Sequence, residues 1–516
     1  SYLPQVYAIL AFVLISVVYF SPVLQGKKIQ QSDIVQYVGM AKEQNDFRAA
    51  ESAEPYWTNS AFGGMPTYQL GAKYEHNYIK MLDEALRFLP RPADYLFLYF
   101  LGFFILLRCL KIDVLKSFIG ALAFGFSTYL IIILGVGHNA KAHAIAYMPM
   151  VVAGVLLVFK KRYVAGGLLT TVAAALEINA NHFQMTYYLL ILLLVIGIYY
   201  LVALVKAKDF KAVLNIVLVF AVSGILALGS NASNLMATSE YAKSSTRSDS
   251  ELSFEPNGSA KVSSNGMSYE YITEYSYGIL ESLNLISPKI FGGSNNEDVG
   301  IGSELYNLLT DVGASSQEAA EFAAHAPTYW GDQPIVAAPA YIGAAVFCLA
   351  ILCLFIDNRR LKYIFATGAL VSLILSWGKN FPLVTNFFID YVPMYNKFRA
   401  VSSIQVILEL CLPLLAILGL YSFFKNDNSE VKLKALKNTA YVAGGFLIVL
   451  FLGFFMFDFR GGADDYYAQA YGELGPEFVK ALIEDRKSMY LSDFLRSTCI
   501  IALVLAVLFF FIKKSI

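Results

Sequence analysis

The first stretch that could do chemistry is Gly-Lys-Lys-Ile-Gln-Gln-Ser-Asp-Ile-Val-Gln-Tyr at 26–37, which follows the first apolar run. It carries one carboxylate, Asp33, where a substrate at a membrane surface would present its head group. A carboxylate placed there is a candidate general base, which takes a proton from an attacking hydroxyl. The alternative is structural, because Ser32 or Asp33 could equally cap a surface helix running from Ile34 to about Phe47.

Basic side chains form a second group, between the third and fourth apolar runs. His138, Lys141 and His143 fall within one short connector that is expected to form a tight turn. Ammonium and imidazole donors bind phosphate oxygens, so His138 and Lys141 are candidate phosphate ligands. The alternative is that they are ordinary interfacial residues whose charged ends reach water.

A third group, Lys397 and Arg399, directly precedes the tenth apolar run. The planar fork of an arginine matches the oxygens of a phosphate at head-group level. The short connectors on the same side of the membrane carry few other basic residues. Both residues are therefore candidate phosphate ligands, and simple extension of their side chains to water is the alternative.

Polar groups also cluster where the fifth apolar run ends and the sixth begins. Glu177 lies inside an apolar run, and an ionisable group there is costly enough to suggest a function. Asn181, His182 and Gln184 follow it, and amide groups can hydrogen-bond sugar hydroxyls or a head group. These four residues are candidate sugar ligands. The alternative for Glu177 is a buried carboxyl group that neighbouring Asn or Tyr side chains hydrogen-bond.

The composition is that of an integral membrane protein. Of its 516 residues, 57% are hydrophobic and only 15% are charged. The formal net charge of zero gives no reason to expect nucleic acid as a partner. The five histidines lack the spacing of a zinc site, so no metal is predicted. Asp464 and Asp465 form an adjacent acidic pair that we expect to be solvated.

Long apolar runs predict an all-α polytopic membrane protein, a single transmembrane domain over residues 1–516 with about twelve transmembrane helices. Each run is long enough to cross about 30 Å of hydrocarbon as a helix. The runs lie near 3–21, 94–110, 115–135, 143–159, 164–180, 185–205, 211–232, 335–356, 362–377, 401–424, 439–457 and 494–512.

Basic residues orient these spans. One set of short connectors carries eighteen Lys and Arg residues and the opposite set only four, which places the first set and both chain ends in the cytoplasm. The outer side then holds two long loops, 22–93 and 233–334, and a late loop, 458–493. Residues 244–265 are rich in serine and charge and are expected to be flexible. All four groups of candidate site residues belong to the outer side.

Several stretches resemble the YfhO-like family of bacterial membrane proteins, within the GT-C class of lipid-carrier-dependent glycosyltransferases. The resemblance covers residues 1 to about 424. Its motifs are Ser-Asp at 32–33, Phe-Gly-Gly-Met-Pro at 62–66, Asn-His-Phe-Gln-Met-Thr-Tyr-Tyr at 181–188, Tyr-Trp-Gly-Asp-Gln-Pro at 329–334 leading to Pro-Ala-Tyr-Ile-Gly at 339–343, and Tyr-Asn-Lys-Phe-Arg at 395–399.

The resemblance implies a GT-C-like fold and transfer of a sugar from a polyprenyl-phosphate donor on the outer face of the bacterial cytoplasmic membrane. The acceptor would be a glycan, a teichoic-acid-like polymer or a protein, and the sugar would be inverted. Asp33 would be the base, with the donor phosphate bound by Arg399, Lys397, His138 and Lys141. The reaction would need no metal. Many GT-C enzymes carry an acidic pair in the second outer loop, whereas this chain has His138 and Lys141 there.

Three other functions fit the same pattern. A transporter or flippase for a lipid-linked glycan would also have about twelve spans, although it usually shows internal repeats and polar groups at mid-membrane. A glycan polymerase or ligase would share the chemistry and differ in its acceptor. A non-catalytic scaffold would have no need of Asp33.

Overall fold

The computed structural model describes residues 2–245, 248, 254, 257–259 and 266–515. Its regular structure is nearly all helical, which confirms the all-α prediction. The chain divides into two compact units. The first unit comprises Ser1–Gly125, Ile133–Ile272 and Tyr391–Arg399, and the second comprises Phe126–Ile132, Thr273–Asp390 and Ala400–Ile516. Most of the stretch expected to be flexible, 244–265, lies outside the described residues. The single transmembrane domain stays a prediction.

The helices are listed in chain order. Up to residue 245 they are α1 (Leu3–Tyr19), α2 (Ser32–Met40), α3 (Lys42–Glu51), α4 (Tyr78–Leu86), α5 (Ala93–Cys109), α6 (Val114–Gly125), α7 (Thr128–Val136), α8 (Asn139–Phe159), α9 (Tyr163–Asn179), α10 (Phe183–Lys206), α11 (Phe210–Gly229) and α12 (Ala232–Ala242). From residue 266 they are α13 (Tyr269–Thr273), α14 (Glu304–Asp311), α15 (Ser316–Ala323), α16 (Ala344–Ile356), α17 (Leu361–Ser376), α18 (Pro382–Tyr391), α19 (Gln405–Lys425), α20 (Ser429–Met456), α21 (Asp464–Ala470) and α22 (Gly475–Ser515).

Several long apolar helices are consistent with a membrane protein. Among the described residues, six are long and apolar enough to cross a membrane: Asn139–Phe159, Phe183–Lys206, Phe210–Gly229, Val401–Lys425, Ser429–Met456 and Gly472–Lys514. The pair α6 and α7 would make a seventh if it counts as one span. The apolar helices α1, α9, α16 and α17 have only 13 to 17 residues, which reach roughly 20–25 Å as helices. The predicted count of twelve spans is therefore not confirmed.

The first outer loop is ordered around a short hairpin. Strands β1 (Trp57–Thr58) and β2 (Met65–Pro66) pair antiparallel. Gly64 has φ +122°, and a Cβ there would lie 2.7 Å from the Trp57 ring, so the turn requires glycine. Glu43 of α3 fixes the hairpin, because its carboxylate accepts hydrogen bonds from the Thr58 hydroxyl at 2.6 Å and from the backbone N–H of Asn59 at 2.8 Å. These contacts make the segment a packed loop.

The helix expected from Ile34 to about Phe47 forms as two helices, α2 and α3, which meet at the buried Ala41. The N-cap of α2 is Gln31, and its side chain makes no capping bond. The prediction that Ser32 or Asp33 caps this helix is therefore wrong. The Gln31 side chain instead donates to the Leu134 carbonyl at 2.6 Å and fixes the start of α2 by a tertiary contact.

A buried arginine joins several segments of the second unit. Arg486 of α22 is 1% exposed and donates to both oxygens of Asp464, at 2.7 and 2.8 Å. It also donates to the carbonyls of Thr328 at 2.8 Å and Phe459 at 2.9 Å. The expectation that Asp464 is solvated is therefore wrong, because the carboxylate is 3% exposed and paired; its neighbour Asp465 is exposed.

The late outer loop is mostly helical. Helix α21 and the first half of α22 occupy residues 464–493, and α22 continues without a break into the last apolar run. This long helix is why Arg486 can be held rigidly. Its side chain projects from regular structure and pairs with Asp464, the first residue of α21.

Replacing Arg486 by Met should lower the free energy of unfolding by about 3–5 kcal/mol, because it leaves the buried Asp464 carboxylate without its partner. The measurement is thermal unfolding of the purified protein in detergent. The matched control is Lys480→Met on the same helix, whose pair with Glu477 is exposed on both sides and should contribute less than about 1 kcal/mol. Equal losses in the two variants would contradict the assigned role of Arg486.

Candidate functional site

One cavity of the first unit, about 740 Å³ in volume, contains many of the predicted site residues. We call it the Arg399 cavity. Its walls come from the start of α10, from α12 and from the end of the segment Tyr391–Arg399. It is lined by Gln69, Asn181, His182, Phe183, Gln184, Leu235, Thr238, Ser239, Ala242, Lys243, Ser248, Met394, Lys397, Phe398 and Arg399.

The charge of the Arg399 cavity is positive. Lys243, Lys397 and Arg399 line it, and no carboxylate is among its described lining residues. Cationic walls of a concave site raise the local concentration of anions and favour their binding. The remaining walls mix apolar surface from Phe183, Leu235 and other side chains with amide and hydroxyl groups. The cavity therefore suits an anion that is joined to a less polar body.

Gln184 holds the segment that carries Arg399. Its side-chain amide donates to the Arg399 carbonyl at 2.6 Å and to the Tyr188 hydroxyl at 2.8 Å. The Tyr187 hydroxyl donates to the Pro393 carbonyl at 2.9 Å. These bonds anchor residues 391–399 against α10. Gln184 is thus a positioning residue as well as a lining residue.

The guanidinium of Arg399 is exposed and oriented by one tyrosine. Its Nη1 donates to the Tyr271 hydroxyl at 2.8 Å, and its Cζ lies 5.0 Å from the centre of that ring. A guanidinium has five N–H donors, and the bond to Tyr271 uses one of them. The stacked orientation leaves a fork of donors for a phosphate.

Three of the four predicted sugar ligands line this cavity. Asn181 adopts a left-handed backbone with φ 59°, and its side-chain oxygen accepts from Asn234 at 3.1 Å. His182 and Gln184 line the cavity with it. Glu177 does not line it, because it is 1% exposed and both its oxygens accept from the Thr186 hydroxyl, at 3.0 and 2.9 Å. The structure therefore supports the structural interpretation of Glu177, with Thr186 as its partner rather than Asn or Tyr.

Asp33 and His138 meet elsewhere on the first unit. Asp33 lies in the first turn of α2, and its Oδ2 is 3.4 Å from Nε2 of His138; both side chains are about half exposed. Burial and the charge of Lys141 lower the pKa of His138, while the Asp33 carboxylate acts in the opposite direction. His138 is therefore mainly neutral at neutral pH, so the contact is weaker than a full ion pair. Neither residue is among the described residues that line the Arg399 cavity.

The basic connector is the start of a helix rather than a tight turn. His138 is the N-cap of α8, and Lys141 is half-buried in its first turn. His143 lies further along the same helix, is buried, and contacts Asp83 through Nε2. The expected convergence of three cationic groups is therefore wrong for His143, because a buried carboxylate holds it.

Asp83 joins the end of the first outer loop to α8. Besides His143, its carboxylate accepts from the Tyr147 hydroxyl at 2.7 Å and from the Arg87 guanidinium at 2.7 and 2.9 Å. Burial opposes ionisation of Asp83, but the bonds and charges of His143 and Arg87 outweigh it and lower the pKa to about 2. Asp83 is 1% exposed, so this network is structural.

Sequence reasoning missed Lys243, Gln69 and Thr238 as lining residues of the Arg399 cavity. Gln69 donates to the Thr238 hydroxyl at 2.8 Å, across 169 residues of sequence. Lys243 directly follows α12 and is one basic residue among many polar ones. Only the packing of α12 against the first outer loop brings the three together.

No family model matches this chain, and neither a curated protein nor a solved structure matches it. The resemblance to the YfhO-like family stays a hypothesis based on the motifs quoted above. The candidate function is therefore inferred from the geometry of the first unit.

Replacing Asp83 by Asn should lower the free energy of unfolding at neutral pH by about 2 kcal/mol, the value of a pKa lowered from 3.8 to about 2. The stabilisation is present above the unfolded-state pKa and is lost as pH falls through the folded one. The melting temperature of the parent should therefore fall more steeply than that of the variant between about pH 5 and pH 2. If the melting temperatures of parent and variant changed in parallel with pH, the Asp83 network would contribute nothing to the free energy of unfolding.

Proposed function

We propose that this protein transfers a sugar from a polyprenyl-phosphate donor to an acceptor hydroxyl on the outer face of the bacterial cytoplasmic membrane. The observation that carries the proposal is the Arg399 cavity. Three cations and several amide groups line it, no carboxylate is among its described lining residues, and its volume accommodates a sugar with its phosphate. A glycan, a teichoic-acid-like polymer or a protein would supply the hydroxyl.

The leaving group of this reaction explains why cations are needed. When the bond between the anomeric carbon and the phosphate oxygen breaks, the electron pair leaves with a phosphate that is already an anion. Such a group needs positive charge rather than a proton from a general acid. Arg399 and Lys397 would supply this charge, and Asn181, His182 and Gln184 would hydrogen-bond the sugar hydroxyls.

Asp33 is the proposed base. As the acceptor oxygen forms its bond to the anomeric carbon, from the face opposite the phosphate, the acceptor proton passes to the Asp33 carboxylate and the sugar inverts. His138, 3.4 Å away and mainly neutral, could hydrogen-bond the carboxylate without cancelling its charge. The proposal requires the acceptor to bind between Asp33 and the Arg399 cavity.

A transporter for a lipid-linked glycan is the second candidate, and one observation favours it. Asp33 is not among the residues that line the Arg399 cavity. A site that binds a lipid phosphate and has no carboxylate base among its described lining residues fits transport. Transfer and transport thus differ in whether Asp33 is needed, while both need Arg399.

Replacing Arg399 by Ala should weaken binding of the polyprenyl-phosphate sugar and reduce transfer, through loss of charge-assisted bonds worth about 1.5–3 kcal/mol. That corresponds to a roughly 10- to 150-fold higher Kd. The measurement is a binding titration with the donor, and the control is Arg162→Ala, an exposed arginine before α9. Unchanged affinity in Arg399→Ala would remove the phosphate role of the cavity.

Replacing Asp33 by Asn should reduce transfer by roughly 10²–10⁴ and leave donor binding unchanged, because only the base is lost. The assay uses purified protein, the donor and a panel of acceptors, and it scores the sugar transferred. Asp46→Asn on α3, an exposed carboxylate paired with Lys42, is the matched control.

Full transfer by Asp33→Asn would show that another group is the base. A parent protein that transfers no sugar but moves the lipid between leaflets would establish the transporter instead. Loss of donor binding in Asp33→Asn would point to a structural role for the residue.

A further inference from the structure

A second positively charged cavity lies in the first unit, and the proposed function does not use it. It has a volume of about 560 Å³ and lies between the segment after α1 and the segment before α5. We call it the basic cleft. It is lined by Val23, Gly26, Lys27, Lys28, Ile29, Gln31, Ile34, Arg87, Leu89, Pro90, Arg91, Pro92, Asp94 and Asn139.

The cations of the basic cleft exceed its carboxylates. Lys27, Lys28, Arg87 and Arg91 line it, and Asp94 is the one carboxylate among the lining residues. Arg87 is committed to Asp83 at 2.7 Å and lies 3.5 Å from Asp94. In the described part of the chain, the other three cations make no ion pair within 4.0 Å. Lys27 and Lys28 therefore line the cleft without a carboxylate partner in the described part of the chain, whereas the charge of Arg91 also acts on the Asp94 carboxyl.

The contacts of Arg91 keep it beside the cleft. Its Cζ lies 5.4 Å from the centre of the Tyr95 ring, and the Arg87 guanidinium lies over the same ring at 5.6 Å. Tyr95 is 3% exposed, so its position is fixed by the core. The Asp94 carboxyl lies near both guanidinium groups and offsets part of their charge.

Asn139 provides an independent sign of a ligand. It is the first residue of α8, it is only 9% exposed, and it lines the cleft. Neither its amide nitrogen nor its side-chain oxygen has a hydrogen-bond partner in the described part of the chain. A buried polar group left unpaired costs about 1–3 kcal/mol, so a bound group that pairs with it would recover this free energy. The helix N-terminus adds backbone N–H groups and a positive dipole end.

We propose that the basic cleft binds a phosphate group. Lys27, Lys28 and Arg91 neutralise its charge, and the side-chain amide of Asn139 donates a hydrogen bond to one of its oxygens. Val23, Ile29, Ile34 and Leu89 supply apolar surface beside it. The phosphate can belong to a lipid head group or to a small free anion, since both present the same oxygens. The inference is independent of glycosyl transfer, because binding here needs neither Asp33 nor Arg399.

The test measures the NMR signals of Lys27 and Lys28 as a phosphate ligand is added. The full chain is reconstituted in phosphatidylcholine nanodiscs, its lysines are labelled by reductive ¹³C-methylation, and the signals of Lys27 and Lys28 are assigned with Lys→Arg variants. Inorganic phosphate is titrated in one arm, and the nanodiscs contain increasing phosphatidic acid in the other. Saturable shifts of both signals are expected in at least one arm. Saturation with phosphate shows a free-anion site, and saturation only with phosphatidic acid shows a head-group site.

Two variants separate binding from folding. Arg91→Gln should raise the Kd roughly tenfold through loss of a charge-assisted bond. Asn139→Leu should raise the Kd severalfold and leave the melting temperature unchanged or higher, because the amide that it removes has no hydrogen-bond partner among the described residues. Lys80→Gln, on α4 and lining a different cavity, is the control and should bind like the parent.

The proposal would be overturned by the absence of saturable shifts in both arms. It would also be overturned if Asn139→Leu, shown to be folded by its melting temperature, bound phosphate as tightly as the parent. Because the Asn139 variant keeps every cation of the cleft, it decides the question even if Arg91→Gln fails to fold.

Discussion

A buried charge is stable when an opposite charge and enough hydrogen-bond donors surround it, and each unit holds a buried carboxylate in such surroundings. In the first unit the Asp83 carboxylate contacts Arg87, His143 and Tyr147. These contacts join the end of the predicted first outer loop to α8. In the second unit, both terminal nitrogens of Arg486 donate hydrogen bonds to the Asp464 carboxylate. Both pairs fix a polar segment against a helix.

This constraint sorts the cations of the first unit into two classes. Arg87 is held by Asp83, so its charge is neutralised within the protein, and His143 contacts the same carboxylate. Lys243, Lys397 and Arg399 line one cavity, and Lys27, Lys28 and Arg91 line another. Asp94 of the second cavity is the one carboxylate among their described lining residues. Charge that the fold leaves without a carboxylate is available to a ligand. The two cavities are therefore the places where an anionic group would gain most.

The proposed functions differ in what surrounds that anion. Sugar transfer needs a base within reach of the acceptor, and Asp33, half exposed beside His138, is the carboxylate best suited to it. Transport needs binding and release alone. The Arg399 cavity serves either, because positive charge and amide donors hold a phosphate-linked sugar whether or not a bond is broken.

The sequence by itself determined the features that depend on local composition. The apolar runs predicted an all-α chain, and the amides at 181–184 and the cations at 397–399 were recognisable as polar groups at the ends of such runs. Helix lengths were less predictable, since a run such as 335–356 begins as loop and becomes the 13-residue α16 only from Ala344. Periodicity cannot show where a helix starts when apolar residues also fill the preceding loop.

Only the tertiary structure decided which distant groups meet. Gln184 contacts the Arg399 carbonyl across 215 residues, and this contact brings two separately predicted groups to one cavity. Tertiary packing also placed His143 against Asp83 and buried Asp464 against Arg486. It left Asp33 outside the lining of the Arg399 cavity. The type of a side chain determines which groups it can bind. Which of these groups it contacts depends on how helices far apart in the chain pack, and a local sequence pattern does not encode that packing.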